Sequence, residues 1–210
     1  MSSSQSRILP GRPSEGVKRA EILAAATARF GRDGYEDTRW ADIARDVGVG
    51  PTALYHYFQS KQHCLFVILD EALQGFRTRF EVLTAGAVDH RGALGAALAD
   101  CFALDADGVL RNRVLVAEQG KLSMRSVGSS REEQARQAAR RRARELERAW
   151  AEFLEGAMRA GAIGPTDPRL LSLAILGLYN SIWHWYRSSG LLSLPDAAEF
   201  FTARALAMAA

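Results

Sequence analysis

Apolar side chains recur along the chain at i, i+3 and i+4, and no run of alternating β-branched residues bounded by turn signals interrupts them. The pattern predicts an all-α protein of about nine helices. Ile22, Leu23, Ala26 and Phe30 place a first helix over Glu15 to Arg32, with Gly31 and Gly34 as its stop. Thr38 is the expected N-cap of a short second helix whose Trp40, Ile43, Ala44 and Val47 share a face before Gly48. Gly50-Pro51 opens a third helix, Pro51 to Tyr57, because proline at the first helical position loses no hydrogen bond. Ser60-Lys61 starts a long fourth helix striped by Leu65, Phe66, Leu69, Leu73, Phe76 and Phe80. Further helices are expected at about 92–104, 109–122, 130–161, 167–188 and 195–209.

Other features mainly exclude. The longest apolar stretch, Leu170 to Tyr186, is broken by Ser172, Asn180, Ser181 and His184 and is too short to span a membrane. The Ser-rich start lacks the apolar segment of a secretory signal, so a cytoplasmic location is expected. Cys64 and Cys101 have no ligand cluster near them and read as buried thiols; no metal or cofactor is expected. His56, His63, His90 and His184 are scattered without paired carboxylates, which leaves a helical enzyme as a remote alternative. Net charge is +3 overall, divided as +2 over residues 1–62 and +1 over 63–210, so charge alone does not single out a nucleic-acid binder.

The segment Trp40 to Tyr57 does. Ile43, Val47, Val49, Leu54 and Tyr57 are apolar or aromatic, Ala44 is small where two helices must cross closely, and Gly48 suits the turn: the spacing of a helix-turn-helix. With its inner face held by Leu54 against Ile43, the third helix can offer Pro51, Thr52, Ala53 and His56 to a major groove. Thr38 with the amides of the second helix, the hydroxyls of Tyr55 and Tyr57, and Lys61 suit phosphates, which position a protein without specifying sequence. Arg39 and Gly50 belong to the same candidate surface. Arg7 and Arg12, with Lys18 and Arg19 behind them, either follow the DNA backbone or solubilise a tail.

Phe30, Gly34-Tyr35, Thr38, Asp42-Ile43-Ala44, Val47-Gly48-Val49, Leu54-Tyr55-His56-Tyr57-Phe58 and Ser60-Lys61 resemble the TetR/AcrR family signature. The resemblance implies a three-helix DNA-binding domain, a larger helical ligand-binding and dimerisation domain, and a homodimeric repressor that leaves a palindromic operator when a small effector binds. On it the chain divides into a basic arm at 1–13, a reader at 14–60 and a sensor at 61–210. Arg39 stands where the family often has a second Thr, and Gly50-Pro51 replaces a commoner Ser-polar pair, so base preference does not carry over.

In the second half, Tyr179-Asn180-Ser181-Ile182-Trp183-His184-Trp185-Tyr186-Arg187 crowds more polar groups onto one apolar helix than a core requires. Helical spacing puts Tyr179, Trp183 and Arg187 on one side. The arrangement resembles, more loosely, TetR-family regulators that respond to acyl-CoA thioesters in lipid or sterol breakdown, although Ser188-Ser189 stands where those often have Pro. By that likeness Trp183 stacks on the ligand and Arg187 neutralises an anionic group, with Asn180 beside them; an aromatic dimer interface is the equal alternative. Phe102, Leu122, Met124, Trp150 and Phe153 are further lining candidates. The last two helices carry surplus apolar surface, for which homodimerisation is the expected use. The run Arg131 to Arg148 reads as a solvated face with pairs such as Glu132 with Arg136 and Arg141 with Glu145. A regulator of the same family controlled by a partner protein or by abundance, with no small ligand, is the remaining alternative.

Overall fold

The computed structural model describes residues 15–124 and 128–210, and the expected basic arm lies outside them. Among the described residues there are nine α-helices and no strand. The first, α1 (Glu15–Asp33), buries Ile22, Leu23, Ala26 and Phe30 on one side. It ends where Gly34, at φ 94°, donates its N–H to the Phe30 carbonyl at 3.1 Å. Gly31 does not stop the helix as expected. It lies inside α1 at the crossing with α6 (Ala106–Glu118), where a Cβ on Gly31 would meet the Leu110 Cβ and carbonyl oxygen at 2.8 Å.

Two short helices follow, α2 (Trp40–Asp46) and α3 (Pro51–Tyr57), then the long α4 (Lys61–Thr84). Ser60 caps α4 by accepting the His63 N–H at 2.9 Å. α5 (His90–Asp100) starts two residues earlier than its glycines suggest because Asp89 accepts the Gly92 N–H at 2.8 Å. Asp105 likewise caps α6, three residues ahead of the expected start, through the Gly108 N–H at 2.7 Å. A short 3-10 helix, Gln119–Ser123, tightens its end.

α7 (Ser130–Arg159) is the longest helix and packs along α4, where Trp150 stacks on Phe80 with ring centroids 4.3 Å apart. α8 (Pro168–Trp185) crosses α6 and α7, and α9 (Leu194–Met208) closes the bundle against α5 and α8. The two expected pairs on α7 do not form. Glu132 is buried and bonds Ser60, and Arg136 is buried with Glu133 at 2.7 Å and the Leu122 carbonyl at 2.6 Å. Glu145 turns inward to Arg77 of α4 at 2.7 Å and to Arg142 at 3.4 Å. Sequence spacing named neighbours on the same helix, but the acids were drawn to partners on α4 and at its cap.

Among the described residues no helix is long and apolar enough to cross a membrane. Both cysteines are buried.

Candidate functional site

The N-terminal site is built on the turn between α2 and α3. Val49 donates its N–H to the Ala44 carbonyl at 2.9 Å and Gly48 to Arg45 at 3.1 Å, with Gly48 at φ 66°; these paired bonds satisfy the last carbonyls of α2 and turn the chain sharply. Lys18 reaches over from α1 to the Val47 carbonyl at 2.8 Å, and Arg29 grips Asp46 through two bonds of 2.6 and 2.9 Å. That pairing holds the Asp46 carboxyl below its ordinary range, with the Arg29 hydrogen bond the leading cause. The turn is thereby fixed to α1 from two sides.

α3 is held on one face only. Leu54 is fully buried with Ile43 and Ala44, while Pro51, Thr52, Tyr55 and His56 are exposed, Tyr55 by 55%, and Ala53 and Tyr57 are half-buried. Gly50 and Arg39, the residues before α3 and α2, are exposed as well. Phe58 is a core residue, edge-on to Trp40 at 6.5 Å and covered by the Arg19 guanidinium at 5.2 Å.

Thr38 is not the N-cap of α2. It is buried, and its hydroxyl donates to the Gly34 carbonyl at 2.7 Å, so Arg39 takes the cap position and no side chain caps the helix. Lys61 turns inward. Its Nζ lies 2.7 Å from the Tyr35 carbonyl, 2.9 Å from that of Thr38 and 4.2 Å from the centre of the Tyr35 ring. It therefore holds the segment that leads into α2. Lys121 also approaches Tyr35, 5.0 Å from the ring centre, and lies 2.7 Å from Glu36. The Lys121–Glu36 pair and the Glu132–Ser60 bond are contacts between the two halves that no local pattern singles out, since each joins residues far apart in the chain.

The residues expected around a ligand do not share one place. Tyr179, Phe102 and Trp183 form a closed aromatic cluster with Phe76 and Tyr186, with centroid separations of 5.2 to 6.4 Å. The Tyr179 hydroxyl accepts from Asn112 Nδ2 at 2.9 Å and donates to the Cys101 carbonyl at 3.0 Å, and burial raises its pKa well above the ordinary value. Trp150 belongs to the separate stack on Phe80. Met124 is 64% exposed, just beyond the 3-10 helix that touches Glu36. Arg187 lies outside α8, which ends at Trp185 with Tyr186 extended at ψ 134°, so the helical register that paired it with Trp183 does not hold. Its Nη1 donates to the Tyr186 carbonyl at 2.9 Å. Arg113 of α6 is half-buried close by, and burial first, then the Arg187 charge, lowers its pKa.

A cavity of about 260 Å³ does lie between α4, α6, α7 and α8. Leu73, Phe76, Leu115, Leu146 and Leu176 form most of its wall, Tyr179 and Asn180 are at one side, and Gln119 and Glu147 bring further polar groups. Of the nine candidate ligand residues, only Tyr179 and Asn180 reach it. Leu170 and Trp185 of α8 and Phe200 and Met208 of α9 are exposed apolar side chains on the last two helices, as is Leu173, which also lines the cavity.

Two family models match the chain: bacterial regulatory proteins of the tetR family over residues 22–74, and the tetracyclin repressor-like C-terminal domain over 113–209. The HTH-type transcriptional repressor KstR2 of Rhodococcus jostii (strain RHA1) is 26% identical over 196 residues, covering 87% of this chain and 86% of its own. Among solved structures, a tetR-family regulatory protein from Rhodococcus RHA1 superposes with a TM-score of 0.77 at 22% identity, covering 94% of this chain and 98% of its own. AibR in complex with isovaleryl coenzyme A and operator DNA superposes with a TM-score of 0.74 at 21% identity, over 89% and 97% of the two chains.

Proposed function

Because the chain belongs to the TetR family of bacterial regulatory proteins, we propose that it is a homodimeric repressor that binds a palindromic operator and is released by an acyl-CoA thioester. One observation carries the DNA-reading half: α3 buries Leu54 completely yet leaves Pro51, Thr52, Tyr55 and His56 of the same two turns in solvent, on a turn tied down by Lys18 and Arg29. A helix anchored so firmly on one side and bare on the other fits a major groove. In this reading Pro51, Thr52, Ala53 and His56 face bases, and Arg39, Gly50, Tyr55 and Tyr57 face the backbone. Thr38 and Lys61 act one step back, by fixing the segment that presents Arg39.

Residues 14–60 then form the reader and 61–210 the sensor, with a basic arm at 1–13. The protein works in the cytoplasm, by binding rather than by turnover. The exposed apolar residues of α8 and α9 join two copies, a common arrangement for such helical bundles.

The effector reading is supported by the apolar cavity between α4, α6, α7 and α8, and by AibR, whose structure holds isovaleryl coenzyme A. A ligand there touches both α4, which continues directly from the reader, and α6, whose Leu110 is pressed on Gly31 of α1. For release it must bind the DNA-incompetent arrangement more tightly than the competent one. Mobility-shift titration of the purified protein on the DNA flanking its own gene is the test. We expect a discrete complex that isovaleryl-CoA or a homologous thioester dissolves. No shift on any flanking fragment would overturn the DNA reading, and a shift untouched by a panel of CoA thioesters would overturn the effector reading.

A further inference from the structure

The cavity is much smaller than an acyl-CoA. About 260 Å³ takes a short acyl group and its thioester, while the pantetheine arm and the phosphorylated nucleotide must lie outside. The following inference rests on the acyl-CoA reading above. α7 supplies one wall of the cavity through Ala143, Leu146 and Glu147. Arg140 precedes Ala143 by three residues and Arg144 precedes Glu147 by three, so both stand beside that wall, since residues three apart on a helix are neighbours. Arg141 and Arg148 continue the same exposed band. At a rise of about 1.5 Å per residue, Arg140, Arg144 and Arg148 stand about 6 Å apart along the axis.

These arginines form no ion pair among the described residues. Among the described residues none of the four has a carboxylate within 4 Å, whereas Arg136 and Arg142 of the same helix are paired with Glu133 and with Asp70 and Glu145. Of the acids at helical spacing from them, Glu145 is committed to Arg77 and Arg142, while Glu147, three residues after Arg144, and Glu152, four after Arg148, have no arginine within 4 Å among the described residues. A band of four exposed arginines against the single acid Glu147, beside the wall of a largely apolar cavity, matches an amphipathic ligand whose apolar end is inside and whose phosphates are outside. A planar guanidinium fork binds phosphate through two parallel bonds. We propose that Arg140 and Arg144, extended by Arg141 and Arg148, seat the phosphates of the effector's nucleotide headgroup along the outer face of α7.

The test uses the full-length protein and the double variant Arg140→Ala/Arg144→Ala, whose sites are surface positions; its melting midpoint confirms folding. Three probes are titrated calorimetrically: isovaleryl-CoA, coenzyme A itself, and the isovaleryl thioester of N-acetylcysteamine, which has no phosphates. The double variant is expected to bind both CoA compounds about tenfold more weakly at low salt, two exposed charge contacts each contributing a few-fold. The same variant is expected to bind the phosphate-free thioester as the unaltered protein does. Unchanged affinity for coenzyme A and isovaleryl-CoA overturns the inference, as does a loss seen on Arg187→Ala but not on the α7 pair. Weakened DNA binding with unaltered ligand binding also overturns it and assigns the band to DNA. Should the unaltered protein bind coenzyme A but no acyl thioester more tightly, the acyl-CoA reading fails while the headgroup seat stands.

Discussion

Replacing Tyr179 with phenylalanine separates a structural hydroxyl from a ligand contact. The ring keeps its neighbours Phe76, Phe102 and Trp183 at 5.2 to 5.6 Å, so only the hydroxyl is lost. That hydroxyl links three elements, taking the Asn112 amide of α6 at 2.9 Å and giving its proton to the Cys101 carbonyl beyond α5 at 3.0 Å. All of this is buried. Each group left unsatisfied costs about 1–3 kcal/mol, and partial relaxation brings the pair to about 2–3 kcal/mol in all. For a domain of this size the melting midpoint should fall by about 5–10 °C, read by circular dichroism with denaturant melts alongside. Adding Asn112→Leu to Tyr179→Phe should recover part of the loss, because removing both partners is milder than stranding one. A midpoint within about 1 °C of the parent refutes the strut. So does a fall in effector affinity with no change in stability, which would place the hydroxyl on the ligand.

Three other outcomes follow from the joint between the halves. Gly31→Val drives a side chain into Leu110 of α6 and should cost about 1–3 kcal/mol while lowering DNA affinity in the absence of effector; parent-like melting and DNA binding would contradict the tight crossing. Lys61→Met removes the strut from the Tyr35 and Thr38 carbonyls and should weaken operator and random DNA by the same factor in anisotropy titrations, whereas Thr52→Ala should change the preference between sequences. Burial, the leading cause, lowers the pKa of His63 and so favours its neutral form, whose Nδ1 accepts the Gln59 N–H at 3.1 Å. Stability from this group is therefore present above the unfolded value of about 6.5 and is lost as pH falls through the lower folded value. His63→Gln should flatten that part of the stability profile, and an identical profile would refute it.

The helices were legible because each buries one stripe against a single core, and periodicity reports that stripe directly. The α2–α3 turn was legible for a related reason: Gly48 and Pro51 are residues whose backbone limits are local. What the sequence hid is what distance in space decides. Thr38 has the composition of an N-cap, yet the Gly34 carbonyl four residues back claims its hydroxyl and Arg39 takes the position. Asn112 and Tyr179 are 67 residues apart, and nothing in either local pattern foretells their bond. The aromatic segment of α8 read equally as pocket or core because both line a helix with rings. That Phe102 and Phe76 pack around Tyr179 and bury it is decided by residues far off in the chain, which the local pattern does not report. Arg187 was misplaced by extending a helical register two residues past the end of the helix.

If DNA and an acyl-CoA compete through one two-state molecule, as proposed, their binding must be reciprocally linked. Operator affinity is measured with and without saturating thioester, and thioester affinity with and without saturating operator. Both affinities are expected to fall, by the same factor, on the order of 5- to 150-fold. Operator and thioester that bind together without altering each other's affinity would contradict it.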